Sequence, residues 1–406
     1  MTYSIQIPDP SVPEREQASL SFIRENRFGQ KQARLLQRFR LRPDIDLGRY
    51  SCRAVLDYAE LHLVLGRPTQ FRFVQDAVLA TLKGRTPHVR PIGENPNSAT
   101  EFLVRLQEPE LWRLRDVRTA LDKTFGLVGD LGVHELEVSI DFYAKDNSYV
   151  DRARMVALLQ RLHRPKLDVW SMPDSRPRFI HTSGSAPNFI LPSLSGSRAQ
   201  LDHATVFEPC RVRMPSLDAT YYLGARTDDI RFRVQHKQSD QRTGSSALML
   251  AEEHRRARIE VTLGRRALVE RRIWDLAGLE KFGFNRLQGD VFQFALPTFP
   301  WPQDPQRRHI EERLNRVRTQ HFLRGGIMAY EQVERLRQDW FREKLVSLGG
   351  RSRYNVMRKH MRDAGAQVKV DRHGSGHQGF MVAYQPMNDL VQEALRDMTR
   401  RARRKI

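Results

Sequence analysis

Short segments in which apolar and polar residues alternate constrain the fold of this 406-residue chain more than any other feature. The clearest is "HELEVSIDFYAK" (134–145), where an extended strand would place alternate side chains on opposite faces. One face is apolar and the other polar: Leu136, Val138, Ile140 and Phe142 against Glu135, Glu137, Ser139 and Asp141. This pattern predicts a half-buried strand in a sheet with one polar face.

Further strands are predicted at 51–66, 100–107, 220–238 and 255–264, and helical spacing occurs after 70, over 110–126 and over 150–163. This order predicts an α+β fold with a mostly antiparallel sheet flanked by helices. We expect a basic helical segment at 1–49, with helices over 14–40, and an α+β domain at 50–300. A linker at 294–306 would lead into a basic, mainly helical region at 301–406.

The C-terminal region contains a pattern typical of a winged helix. "GGRSRYNVMRKHMRDAGAQ" (349–367) predicts a recognition-type helix, and the segments "QVKV" and "FMVAY" would be strands joined by the Gly-rich turn "HGSGHQG". The candidate DNA contacts on this helix are Arg351, Arg353, Arg358 and Lys359.

The charge balance favours a polyanionic partner. The formal net charge is +20, the pI is near 10.5, and arginine, whose planar fork suits phosphate, dominates the basic residues. No P-loop, signal peptide or apolar run long enough to span a membrane is present, and the two cysteines form no zinc motif. We therefore expect a cytoplasmic, nucleic-acid-binding protein without ATPase activity.

The acidic residues of the predicted strands suggest a metal site. Glu137 and Asp141 share a face but lie roughly 13 Å apart on a regular strand, so they cannot both bind one ion. One of them could combine with Glu260 and Asp57 from neighbouring strands to bind Mg²⁺ or Mn²⁺. The alternative is that these are ordinary outward-facing carboxylates.

The hairpin "TYYLGARTDDIRFRVQHKQ" (220–238) joins two tyrosines to a row of basic residues. Arg231, Arg233 and Lys237 share one strand face that could follow a nucleic-acid backbone. Tyr221 and Tyr222 point in opposite directions, so one should pack in the core while the other could act as a nucleophile. The alternative is a solvated hairpin in a basic protein.

With these segments in view, the chain resembles the replication initiation factor family of rolling-circle plasmid and phage initiators and related conjugative relaxases. The resemblance covers about residues 50–300 through four segments in the family's order: "AVLDYAELHL", "HELEVSIDFY", "TYYLGARTDDIRFRVQHK" and "RARIEVTL".

The resemblance implies an enzyme that nicks one strand of an origin by metal-dependent attack of a tyrosine. Its partners would be origin duplex and single-stranded DNA, and a host helicase is a further partner to consider. The implied residues are the metal ligands Glu137, Asp141 and Glu260 with Asp57 in reserve, the nucleophile Tyr222 or Tyr221, and the phosphate-binding Arg233, Lys237 and Arg258.

One departure from the family pattern matters. Where the family often has Arg-x-Tyr-x-Lys, this chain has Arg233, Gln235 and Lys237, so that tyrosine is missing. Glu135 and Glu137 also replace an arginine and an aspartate of the second segment. The alternative functions are a non-catalytic DNA-binding replication or copy-control protein, favoured by Gln235, and a protein that binds single-stranded RNA.

Overall fold

A computed structural model describes most of the chain. The described residues are 1–27, 38–82, 86–93, 95, 98–170, 172–182, 184, 186–192, 208–241, 247–302, 305–306, 308–346 (without the side chains of 338–346) and 381–403. The candidate recognition helix with Arg351, Arg353, Arg358 and Lys359, and the Gly-rich turn of the predicted wing, lie outside this part of the chain.

The described part contains sixteen strands and eight α-helices, together with short 3-10 turns. The strands are β1 Thr2–Gln6, β2 Ser19–Arg27, β3 Arg38–Pro43, β4 Tyr50–Thr69, β5 His88–Ile92, β6 Ala99–Gln107, β7 Gly132–Ala144, β8 Arg178–His181, β9 Asn188–Phe189, β10 Ala219–Leu223, β11 Ile230–Lys237, β12 Ser239–Gln241, β13 Ala247–Met249, β14 Arg256–Leu263, β15 Ala295–Pro300 and β16 Met381–Ala383. The helices are α1 Phe71–Leu82, α2 Arg113–Phe125, α3 Tyr149–Leu162, α4 Arg265–Glu270, α5 Leu276–Lys281, α6 Arg286–Asp290, α7 Arg308–Val346 and α8 Gln385–Arg403.

The central sheet has nine antiparallel strands in the order β5-β6-β4-β7-β14-β11-β10-β8-β9. Its long inner strands alternate as the sequence predicts: Leu136, Val138, Ile140 and Phe142 of β7 are all buried. Helix α3 packs on this apolar face, against β7, β11 and β14, and its opposite side contacts β2 and α7. The α+β fold with a mostly antiparallel sheet is therefore confirmed.

The second sheet, in the order β1-β2-β3-β15-β16, corrects the expectation of N-terminal helices. Residues 19–27 and 38–43 form strands, because Leu20, Phe22, Phe39 and Leu41 recur at a period of two and are completely or almost completely buried. Phe22, for example, packs edge-on against Phe322 of α7 with 5.1 Å between ring centroids. The helix-favouring arginines and glutamates of this segment are overridden by tertiary packing.

The predicted linker at 294–306 contains β15, so that expectation is wrong for 295–300. Its prolines are tolerated because, among the residues that the structure describes, each pairs on one side: Pro297 with β16 and Pro300 with β3. Proline has no amide hydrogen to donate to a neighbouring strand, so it is tolerated in a strand where no partner needs that hydrogen bond. β15 thereby joins strands of the predicted N-terminal and C-terminal segments in one sheet, while the division into three domains stays a prediction.

Candidate metal centre on the polar sheet face

The face of the central sheet opposite α3 carries a continuous set of charged and polar side chains, which we call the polar face. Strand pairing sets residues of β11, β14 and β7 side by side across it: Arg233 beside Glu260 beside Ser139, and Gln235 beside Arg258 beside Asp141. The alternation of each strand therefore places acids and bases from different parts of the chain in contact.

Three carboxylates meet on the polar face. Asp57 of β4, Glu137 of β7 and Glu260 of β14 each offer an oxygen within 4.8 Å of the other two. Glu137 and Glu260 are buried and Asp57 is half-buried. Ligand oxygens around an octahedral Mg²⁺ lie roughly 3 to 4 Å apart, so small side-chain movements would bring this set to the ion. The donor set therefore fits a divalent cation that prefers oxygen ligands.

A β-bulge in β4 brings Asp57 to this cluster. Leu56 pairs with Val138 and Tyr58 pairs with Glu137, so β4 advances by two residues while β7 advances by one. Asp57 and Tyr58 then both reach the polar face, although they are neighbours in sequence. The bulge also shifts the buried positions of β4 from Ala54 and Leu56 to Ala59, Leu61, Leu63 and Leu65. The apolar residues of β4 thus change from even-numbered to odd-numbered positions at the bulge. This change is visible in the sequence, but the assumption of a regular strand overlooks it.

Two arginines neutralise the cluster. Arg258 donates to Asp57 at 2.9 Å and lies 3.4 Å from Glu260, while Arg233 pairs with Glu260 and lies 3.4 Å from Glu137. Gln235 donates to Glu260 at 3.0 Å. The arginines and Gln235 thus fix the carboxylate positions, and any cation would have to bind in competition with these contacts.

Glu137 has a raised pKa within the cluster. Burial raises its pKa to about 8, and the negative charges of Glu260 and Asp57 act in the same direction against the lowering effect of Arg233. The Glu137 carboxyl is hydrogen-bonded to Asp57, and Thr262 donates to Glu137 Oε2 at 2.8 Å. For Asp57, burial favours the neutral form, but Arg258 and the hydrogen bond from Glu137 bring the pKa below its ordinary value.

Asp141, a predicted metal ligand, is engaged elsewhere. Both of its oxygens accept hydrogen bonds from Arg258, at 2.5 and 2.8 Å, and Arg256 lies 3.0 Å away. The side chain is buried, and it is not one of the three carboxylates that converge. Asp57, the predicted reserve ligand, takes its place because of the bulge.

The two candidate nucleophiles are separated by the sheet. Tyr221 lies in the core on the α3 side with 2% of its surface exposed, and burial raises the pKa of its hydroxyl. A hydroxyl in that position cannot reach a DNA phosphate. Tyr222 is half-buried on the polar face, beside Arg233 in the next strand and with the Arg178 guanidinium 5.5 Å from its ring centroid.

The other predicted basic residues also lie along the polar face. Arg231 donates to Glu135 at 2.6 Å, and Lys237 lies 3.2 Å from Asp240. Sequence reasoning missed Arg105, which bridges Glu60 and Glu135 at 3.0 and 3.1 Å and covers the ring of Tyr58. It also missed Arg178. Both lie on strands whose partners could not be known without the sheet order.

Comparisons with known proteins show no family for this chain, since neither a protein-family model nor a curated protein matches it. The resemblance to replication initiators therefore stays a prediction. Among the described residues, no helix has the length and apolar character needed to cross a membrane.

Proposed function

We propose that this protein nicks single-stranded DNA at a replication origin by metal-dependent transesterification, with Tyr222 as the nucleophile. The observation that carries the proposal is the meeting of Asp57, Glu137 and Glu260 on the same sheet face as Tyr222. Tyr222 pairs with Arg233, and Arg233 contacts two of the three carboxylates. Adjacent strands lie about 5 Å apart, so Tyr222 on β10 lies two strand spacings, about 10 Å, from Glu260 on β14.

In the proposed step, the Tyr222 oxygen forms a bond to phosphorus while the bond from phosphorus to the 3′ oxygen breaks. The tyrosine proton passes to solvent and the departing 3′ oxygen takes up a proton, so the products are a 5′ phosphotyrosine and a free 3′ hydroxyl. The phosphotyrosine conserves the energy needed for rejoining. The free 3′ hydroxyl could then prime rolling-circle synthesis.

The arginines around Tyr222 support this role. Arg233 and Arg178 lie beside Tyr222 on the two neighbouring strands, where they would hold the charged phosphate oxygens. Asp57, Glu137 and Glu260 would hold Mg²⁺ or Mn²⁺, which when bound supplies polarisation of the scissile phosphate. The net charge of +20 would attract the DNA.

The proposal predicts a covalent adduct on one tyrosine. The protein is incubated with Mn²⁺ and single-stranded DNA from the replicon that encodes it, and adducts are measured by intact mass and peptide mapping. We expect an adduct on Tyr222 that Tyr222→Phe abolishes. Tyr143→Phe is the matched control, because Tyr143 also lies on the polar face but next to Asp141 rather than to the cluster.

An adduct on another tyrosine would support the nicking activity but refute the role of Tyr222 as the nucleophile. The second candidate function is a non-catalytic DNA-binding replication or copy-control protein. It is favoured by Gln235, which stands where the family often has tyrosine and holds Glu260 in the arginine-paired network. Absence of any adduct on DNA that the protein binds would support this second function.

A further inference from the structure

A cavity of about 420 Å³ lies at the edge of β4, away from Tyr222. It is enclosed by β4, by the loop between β6 and α2, and by the last turns of α8. The side chains that give it chemical character are Arg53, Trp112, Met398 and Arg401. Its volume falls in the range of sites that take small organic ligands.

The cavity exists because β4 is longer than its neighbour β6. β6 pairs with β4 only from Tyr58 onward, so among the described strands the segment 50–57 pairs with β7 alone. Arg401 of α8 donates to the carbonyl of Ala54 at 2.6 Å. That carbonyl therefore points away from β7, and the Ala54 amide hydrogen points the same way, towards the cavity.

The lining combines the guanidiniums of Arg53 and Arg401 with the carboxylates of Glu108 and Glu110 and with an aromatic and apolar surface. Burial and the nearby charge of Arg53 both lower the pKa of Arg401, so the two guanidiniums repel each other. A phosphate placed between them would relieve that repulsion. Trp112 is held by the Arg113 guanidinium 5.0 Å from its ring centroid, and Arg113 also pairs with Glu110 on the rim at 2.7 Å. Trp112 and Met398 together offer a surface for a flat ring.

The cavity is connected directly to the carboxylate cluster. Glu108, on the cavity wall, donates its amide hydrogen to the Asp57 carbonyl at 2.7 Å. Glu108 also has a positive φ of 43°, a conformation that residues other than glycine rarely adopt. Strained backbone of this kind is concentrated at functional sites. Here it fixes the cavity wall against the β4 bulge.

We propose that this cavity binds one nucleotide of the nicked DNA strand, with the base against Trp112 and Met398 and the phosphate at Arg53 and Arg401. Because β4 lies four strand spacings, about 20 Å, from Tyr222 on β10, this nucleotide lies several positions away from the scissile phosphate. This inference rests on the proposed function and adds a subsite to it. Stacking of one base on an aromatic side chain typically strengthens binding roughly tenfold.

The test is an abasic scan of a single-stranded oligonucleotide. One base at a time is removed, and dissociation constants are measured by fluorescence anisotropy in EDTA, where nicking does not interfere. The scan is repeated with Ala402→Phe, which fills the cavity from α8. The matched control is Ala383→Phe, at an exposed alanine roughly 25 Å away at the other end of α8.

For the wild type and Ala383→Phe we expect one position, several nucleotides from the nick, where base removal weakens binding about tenfold. Ala402→Phe should bind the intact strand about tenfold more weakly and be insensitive to base removal at that position. The same sensitivity in Ala402→Phe as in the wild type would overturn the subsite, while a Tyr222 adduct would still support nicking. A wild type that binds no single-stranded DNA would overturn both proposals.

A second variant keeps the test independent of packing in the cavity. Arg53→Gln removes one guanidinium from an exposed side chain, so the fold should be preserved. We expect it to weaken binding of the intact strand several-fold, whereas the control Arg266→Gln, at a highly exposed arginine of α4, should not. Equal affinities of the two variants would contradict the assignment of the phosphate to Arg53.

Discussion

Glu137 and Arg258 have opposite electrostatic effects within the same buried network. Glu137 lies among like charges and its raised pKa favours a neutral carboxyl, whereas Arg258 is the shared partner of Asp57 and Asp141. The polar face is therefore held together by arginines, while its carboxylates are held close enough to repel one another. A divalent cation bound between the carboxylates would reduce this repulsion.

Substitutions at these two residues should have unequal effects on stability. Glu137→Gln resembles the protonated side chain, so the free energy of unfolding should change by less than about 1 kcal/mol, while Mn²⁺ binding is lost. Arg258→Met leaves two carboxylates without their main partner and should cost about 3 to 5 kcal/mol. Urea denaturation at neutral pH measures the free energy of unfolding of both variants, with the exposed Arg266→Met as a control. A loss for Arg258→Met no larger than that of the control would contradict the network.

At the scale of elements, helix α7 is interrupted by a glycine that no other residue can replace without strain. Gly326 has a φ of +74°, and a Cβ atom built there would lie 2.8 Å from the Cα of Arg161 in α3. This close approach lets α7 pack across α3, which in turn supports the apolar face of the central sheet.

Gly326→Ala should therefore destabilise the protein by more than about 2 kcal/mol, because it combines an unfavourable backbone conformation with a backbone clash. The matched control is Gly289→Ala in α6, where an added Cβ meets nothing within 4 Å. Thermal and urea unfolding of the two variants measure the difference. Equal stability of the two variants would show that α7 and α3 can move apart at little cost.

At the scale of the whole molecule, His163 connects the central sheet to the segment that leads into the second sheet. Its ring packs on Phe232 of β11 with 4.8 Å between centroids and donates to the carbonyl of Val291 at 2.7 Å. Burial lowers the pKa of His163 to about 4, and it does the same for His236. Both rings are therefore neutral in the folded protein at physiological pH.

This burial predicts acid sensitivity. Between pH 6.5 and 4 the unfolded chain binds a proton at His163 that the folded chain does not, so stability falls as the pH falls through this window. The contribution of His163 amounts to about 3 kcal/mol at most. His163→Gln keeps a donor for Val291 and should flatten the pH dependence of urea unfolding, while exposed His254→Gln should not. An unchanged profile for His163→Gln would contradict the prediction.

The alternation of apolar and polar residues determined much of the central sheet. It located β4, β6, β7, β11 and β14 and assigned Glu137, Asp141, Arg233 and Glu260 to the polar sides of their strands. It also separated Tyr221 from Tyr222. These results follow from local geometry, because a side chain's face depends only on its position along its own strand.

Only the tertiary structure decided which of these residues meet. Asp57 meets Glu137 and Glu260 because of the bulge in β4, and Asp141 is instead hydrogen-bonded to Arg258. Both outcomes depend on cross-strand register, which is set by pairing between distant segments. The same holds for residues 19–27 and 38–43, where packing against α7 and β15 made strands of segments with helical propensity. The alternation within each segment therefore determined which face each side chain occupies, whereas pairing between distant segments and burial determined which side chains are in contact.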